Sequence, residues 1–356
     1  CLSVSLCVSL SLSVSLCASF CFLVSPFFFF GLFLILLLLL LFVLLFAALP
    51  LLGQEPVSWE FDLDVTSEII ELRSLNLEAI VAEDAINDLD KNQPWRYGIS
   101  RALEIDIASH GFWTELPEAV RYIDEHALAR VIVISSEGKH FSAGMDLSVF
   151  QNMGASFNGE PARRAEAFRR HVLKLQDAFN ALEEVRMPVL VAVQGGVIGG
   201  AVDMISACDS RYCTQDAFFC IKETEIGMTA DVGTLQRLPH LIPQGLVREL
   251  AYTGRSMMSQ EAHSSGLVNH VYSDQEAMLT EVMKIAKTIA GHSPMAVAGC
   301  KEMINYTRDH DVADSLNYMA TWQSGMLQMP DVMEAMSAGQ QKRQPIFENL
   351  LPKTVD

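Results

Sequence analysis

Twice in this chain a short unbroken run of β-branched and aliphatic residues leads straight into a glycine-bearing turn and then into a stretch patterned like a helix. The first run is Arg130 to Ser135 (RVIVIS), followed by SEGKHFSAGMDL. The second is Val189 to Val193 (VLVAV), followed by QGGVIGG and AVDMISAC. A run without polar alternation suits a strand covered on both faces, as in a parallel sheet flanked by helices. The recurrence predicts an α/β domain.

Helical spacing supplies the covering layers. Phe112, Leu116, Val120 and Ile123 predict a helix over Gly111 to His126. Phe168, Val172, Leu175, Phe179 and Leu182 predict a longer one over Ala162 to Val185, ending before Pro188. From Val57 to Asp90 the pattern is mixed and gives only short strands and a turn. Beyond Gly245 the chain reads as successive helices: Gly245 to Tyr252, Ser259 to Ser264, Gln275 to Ala290, Pro294 to Tyr306, Val312 to Leu327 and Asp331 to Lys342. Asp274 and Ser293 are placed to cap the helices after them. The methionines of this tail (303, 319, 326, 329, 333 and 336) read as packing or subunit-contact residues.

Charge separates the chain into two parts. The formal net charge is −18, which argues against nucleic acid as a partner, because that surface needs clustered cations. Every charged residue lies at or beyond Glu55. Residues 1 to 54 begin as a Ser/Leu/Val/Cys repeat, and the run Phe27 to Leu49 has 23 residues without a polar side chain, long enough to span a bilayer. It has no basic residues to start or orient it, so it matches no targeting class, and the first methionine of the chain is Met145. The expectation is either a gene-model artefact or a membrane anchor, with no share in catalysis. The organisation expected is therefore a leader at 1–54, an α/β core at 55–248 and a helical region at 249–356. The four cysteines outside the leader, at 208, 213, 220 and 300, show neither CxxC nor metal-ligand spacing and read as small buried hydrophobes.

Two glycine turns that follow neighbouring strands can each aim a backbone N–H into one cleft, and a pair of such donors stabilises a developing oxyanion. Small residues at Ala143, Gly144, Gly199, Gly200 and Ala201 allow a substrate to approach closely. Neither turn matches GxGxxG or a P-loop, so spacing alone leaves them open to being ordinary turns. Three acids follow. Asp203 lies on an otherwise apolar helix start, where an unpaired carboxylate is expensive, and reads as a cap, an ion-pair partner or a functional group. Glu223 reads as a strand-end charge or a base. Asp231, in GMTADVGTLQRLP, reads as an N-cap or an acid.

The motifs GKHFSAGMDL, GGVIGGAVD, ACDSRYC, DAFFCIKE and ADVGTLQRLP together resemble the crotonase (enoyl-CoA hydratase/isomerase) superfamily, and within it the Δ3,5-Δ2,4-dienoyl-CoA isomerase branch, a resemblance that extends from about Arg130 to about Leu327. The resemblance implies a crotonase-like spiral of repeated β-β-α units with a C-terminal helical oligomerisation region, assembled as a homotrimer or hexamer. It implies an oxyanion hole from the N–H groups of Met145 and Gly200, and a substrate site lined by Ala143, Gly144, Met145, Asp146, Leu147, Gly200 and Ala201. Asp203 and Glu223 match the positions of a carboxylate pair in the hydratases. Asp231 matches a third carboxylate of the dienoyl isomerases. The substrate implied is an acyl-CoA thioester, with no separate cofactor and no metal, since CoA belongs to the substrate.

Three departures stand out. Ala201 replaces the third glycine of the second turn. The segment Lys91 to Trp113 is longer than the family's CoA-holding segment and lacks its Asn-Ala turn. The chain ends in LPKTVD rather than an SKL-like address, so a mitochondrial or peroxisomal location is implied by resemblance without a clean signal. Two other functions fit parts of the pattern: an enoyl-CoA hydratase using Asp203 and Glu223 on water, and a silent crotonase-fold scaffold tethered by the leader.

Overall fold

The computed structural model describes residues 77–78, 98–102, 111–144, 159–327 and 329–353. The leader with its Phe27 to Leu49 run, residues Met145, Asp146 and Leu147, and most of the Lys91 to Trp113 segment lie outside the described residues. In chain order the first elements are β1 (Leu77–Glu78), β2 (Gly98–Ala102), α1 (Phe112–Glu125), β3 (Ile132–Ser136), α2 (Pro161–Glu184), β4 (Val189–Val193), β5 (Gly196–Ile198), α3 (Gly200–Ser206), β6 (Ser210–Thr214) and β7 (Phe218–Cys220). There follow α4 (Thr234–Arg237), α5 (Gln244–Thr253), β8 (Met257–Met258), α6 (Ser259–Ser265), β9 (His270–Tyr272), α7 (Gln275–Ala290), α8 (Pro294–Tyr306), α9 (Val312–Met326) and α10 (Met329–Gln341).

Two sheets result. The larger runs β1-β2-β3-β4-β6-β9, parallel from β2 to β9 with β1 antiparallel at one edge. The smaller runs β5-β7-β8. Successive strands alternate between the sheets, β4 then β5, β6 then β7, which is the β-β-α spiral. Strands β3 and β4 are buried throughout, and their side chains divide by the two-residue period of a strand. Ile132, Ile134, Val189, Val191 and Val193 join Phe112, Trp113, Phe179, Leu182 and Ile205 on one face. Val131, Val133, Leu190 and Ala192 meet Met278, Val282 and Ala286 of α7 on the other. Burial on both faces is why these runs show no polar alternation.

Four expectations need correction. Only the second half of α2 is core: Ala178, Phe179, Ala181 and Leu182 are buried, whereas Phe168 is 40% exposed. GGVIGG is not one turn, because Gly196–Ile198 pairs with Phe218–Cys220 as β5 against β7. The stretch beyond Gly245 is not wholly helical, since β8 and β9 return to the two sheets, each too short for a period to be read. Cys208, Cys213 and Cys220 are buried, burial pushing the thiols of Cys208 and Cys213 up to about 12, but Cys300 is exposed. Asp274 and Ser293 do cap their helices, accepting from the amides of Ala277 at 2.9 Å and Ala296 at 3.3 Å. No helix among the described residues is long and apolar enough to cross a membrane.

Backbone hydrogen bonds stitch the two glycine turns together. Phe141 N–H donates to Gln194 O at 2.8 Å, Ser142 N–H to Gly196 O at 3.1 Å, and Ile198 N–H to Ser142 O at 3.3 Å. The crossing is tight at Gly195, whose φ is +55° and where a Cβ would lie 2.1 Å from Lys139 O. Glycine is required there.

Candidate active site

The acids converge because three local structures deliver them to the second turn. Gly199 has a φ of +57°, and its N–H donates to Cys220 O at 2.9 Å, tying the end of β7 to the start of α3. Glu223 opens the 3-10 turn Glu223–Ile226 three residues later. Its Oε1 comes so close that a Cβ on Gly199 would lie 3.3 Å from it. Gly199 thus serves the left-handed turn and the approach of Glu223 at once. Gly144, at a φ of +92°, abuts the same turn, where a Cβ would lie 3.3 Å from Ile198 O. Ala143 and Gly144 therefore sit beside Gly199, Gly200 and the buried Ala201. Gly200 is the first residue of α3, and an N–H in the first turn has no intrahelical acceptor.

Asp203 is 0% exposed on the inner face of α3. Its Oδ1 accepts from Thr234 N–H at 2.6 Å, so it caps α4 from another helix. That is the cap reading of this residue, met across two helices. Asp231 does not act as an N-cap: the residue before α4 is Gly233, with no side-chain cap. Asp231 is left half-buried on the loop leading to α4. Oδ2 of Asp203 and Oε2 of Glu223 are buried without a hydrogen-bond partner within the protein.

Burial raises all three acids, and repulsion from neighbouring carboxylates adds to it at Glu223 and Asp203. Burial, then the charges of Asp203 and Asp231, push Glu223 up to about 7. Burial pushes Asp203 up to about 6 against the opposing Thr234 hydrogen bonds, with Asp231 adding repulsion. Burial also raises Asp231, partly offset by its own backbone N–H and by the positive charge of His171 on α2. A pocket of this kind holds a proton near neutral pH, and so presents a carboxylic acid and a carboxylate together. Among the described residues no group of three or more His, Cys, Asp and Glu is set to hold a metal ion.

The family profile described as enoyl-CoA hydratase/isomerase matches residues 107–350. The chain belongs to the enoyl-CoA hydratase/isomerase family. A mitochondrial Δ(3,5)-Δ(2,4)-dienoyl-CoA isomerase of Mus musculus is 44% identical over 247 residues, covering 69% of this chain and 76% of that protein. A peroxisomal Δ(3,5)-Δ(2,4)-dienoyl-CoA isomerase of Arabidopsis thaliana is 40% identical over 254 residues, 71% of this chain and 91% of that protein. Among solved structures, an enoyl-CoA hydratase from Bacillus anthracis aligns with a TM-score of 0.64 at 27% identity, covering 79% of this chain and all of the other. The crotonase fold expected from the motifs is the fold observed.

Several contributors were not visible in the sequence. Thr234 N–H, the Gly199 contact with Glu223, and the charge of His171 on Asp231 all join segments far apart in the chain. The polar residues Gln176, Asn180 and Glu183 recur at helical spacing on α2 and look like a solvated face, yet each bonds into the segment around Asp231.

Proposed function

We propose that the protein is a Δ3,5-Δ2,4-dienoyl-CoA isomerase acting in fatty-acid β-oxidation. The observation that carries this reading is the third acid: Asp231 joins Asp203 and Glu223 in one electrostatic cluster without being consumed as a helix cap. Hydration of an isolated 2-enoyl-CoA needs only a carboxylate pair for its water. Moving two double bonds needs a proton removed at C2 and one delivered at C6, at opposite ends of the diene. The high identity to dienoyl-CoA isomerases supports the same choice over a hydratase or a silent scaffold.

The thioester oxygen is held by the N–H groups of Gly200 and Met145, which makes the C2 proton acidic by accepting the charge as an enolate. Glu223 takes the C2 proton. The electron pair moves along the chain, the C3=C4 and C5=C6 bonds become C2=C3 and C4=C5, and Asp231 gives its proton to C6. Asp203, a third negative charge behind them, favours retention of a proton by a neighbour. No cofactor beyond the CoA of the substrate enters these steps.

A pH profile follows from this. The competent pocket carries one proton between Glu223 and Asp231. Glu223 is pushed up to about 7 and burial raises Asp231 as well, so the pair shares one proton over a window of pH: as pH rises through it that proton is lost and no acid remains, and toward acid both are protonated and no base remains. Isomerase kcat/KM is expected to be bell-shaped, with its alkaline limb near neutrality. A profile flat from about pH 5 to 9 contradicts it.

The assembly proposed is a homotrimer or hexamer. Leu316, Met329, Met333, Met336 and Ile346 are exposed on the C-terminal region, beside an apolar cavity of about 530 Å³ lined by Met295, Met303, Trp322 and Phe347. A surface of that kind is usually covered. Sedimentation at micromolar concentration is expected to give a trimer or larger species, and a monomer overturns it. The compartment proposed is mitochondrial or peroxisomal, after the relatives. Direct assay of a 3,5-dienoyl-CoA against hydration of a 2-enoyl-CoA tests the activity.

A further inference from the structure

The residue that delivers the C6 proton sits on an irregular loop, and a proton donor displaced by an ångström loses most of its effect. Something must hold that loop. The acid pocket does so from one side only, through the Thr234 N–H bond to Asp203. On the other side, α2 reaches it twice. Gln176 Nε2 donates to the backbone oxygen of Asp231 at 2.7 Å. Arg237 Nη1 donates to the backbone oxygen of Val232 at 3.3 Å, and the same guanidinium is clamped to α2 by Glu183 Oε2, at 3.0 Å from Nε and 2.8 Å from Nη2, and by Asn180 Oδ1 at 2.7 Å. Glu183 in turn accepts from Arg308.

The fit between loop and guanidinium is close. Gly233 has a φ of +133°, and a Cβ there would lie 1.8 Å from Arg237 Nη1, so the glycine makes room for the arginine. The Arg237 and Glu183 side chains are 10% and 18% exposed, so this is a sheltered ion pair rather than a surface one. A planar fork with five donors serves a carboxylate, an amide oxygen and a carbonyl together, which a single ammonium cannot. The cluster lines a polar cavity of about 460 Å³ that includes Gln176, Asn180, Glu183, Arg237, Asn305 and Arg308.

We propose that Arg237 and Gln176 are positioning residues that hold the Asp231 loop against α2 and so fix the proton donor at the far end of the diene. They act through backbone oxygens of residues 231 and 232, not on the substrate. This rests on the isomerase reading above, and it makes a distinction that loss of fold would not. Removal of the C2 proton depends on Glu223, on the turn after β7, and on oxyanion donors that include Gly200 at the start of α3, none of them on the Asp231 loop. Delivery at C6 depends on the loop. Loosening the loop should therefore separate the two half-reactions.

The test uses Gln176→Leu and Arg237→Lys in the full chain, the first removing one tether without altering charge, the second keeping the charge but not the fork. Two rates are measured with a 3,5-dienoyl-CoA: formation of the conjugated 2,4-dienoyl product, and exchange of the C2 proton into D2O followed by NMR. Each variant is expected to lower kcat for conversion by about tenfold or more, with KM within about threefold, while C2 exchange stays the same or rises. A parallel fall in exchange and conversion, a fall in KM terms only, or conversion unchanged in both variants overturns the proposal. If Arg237→Lys does not fold, Gln176→Leu alone decides it by the same ratio. Wild-type protein that fails to convert the substrate at all overturns the isomerase reading instead, so the two failures are told apart.

Discussion

Asp231→Asn is expected to lower conversion of 3,5-dienoyl-CoA by about two to four orders of magnitude, the usual reach of a positioned general acid. Asparagine keeps the size and polarity of the side chain but has no proton to give to C6. Exchange of the C2 proton should survive, because Glu223 and the oxyanion donors are untouched and the dienolate formed returns to substrate. The fold should be unaffected, since the Asp231 backbone oxygen accepts from Gln176 and its side chain caps no helix. Stopped-flow detection of product alongside NMR exchange checks both halves. Near-normal conversion in this variant removes Asp231 from the mechanism.

Glu223→Gln is expected to be as severe, again about two to four orders of magnitude, but with a different signature. Here the base is gone, so C2 exchange falls together with conversion. Stability should hold or rise, because the substitution replaces a half-buried carboxyl, repelled by Asp203 and Asp231 and with one oxygen unpartnered, by a neutral amide of nearly the same shape. Thermal unfolding of the variant beside wild type checks the second statement. Exchange that persists at wild-type rate assigns the C2 base to another residue.

The three acids were readable in the sequence for different reasons. Asp203 stood out on an apolar helix start, where an unpaired charge is costly, whereas Glu223 read as a strand-end charge or a base and Asp231 as a cap or an acid, and both were singled out only by the family motifs around them. The strands β3 and β4 were readable because burial on both faces leaves their aliphatic residues, Ile132 to Ile134 and Val189 to Val193, in runs without polar alternation. β5, β8 and β9 were not, because strands of two or three residues carry no period, and their pairing depends on what lies beside them after folding.

The supporting contacts were hidden by a different cause. Gln176 and Arg237 bond to main-chain oxygens, which every residue possesses, so nothing in the partner's identity marks the contact. Glu183 looks like one of many charges on a solvated helix until Arg237 and Arg308 close on it. The separation of 54 residues between Glu183 and Arg237 removes any local pattern that might join them. Gly199 was legible as a turn residue, but not as the surface on which the Glu223 carboxyl rests.

Three carboxyls around one glycine turn are expected to move a diene rather than add water. The most direct measurement follows ultraviolet absorbance while purified protein meets a 3,5-dienoyl-CoA, with a 2-enoyl-CoA given to the same preparation in parallel. The long-wavelength band of a 2,4-dienoyl thioester is expected to grow, at a rate well above any hydration of the 2-enoyl-CoA, and to be abolished by Asp231→Asn. Rapid hydration of the 2-enoyl-CoA with no conjugated product from the diene, and no effect of Asp231→Asn, would contradict it.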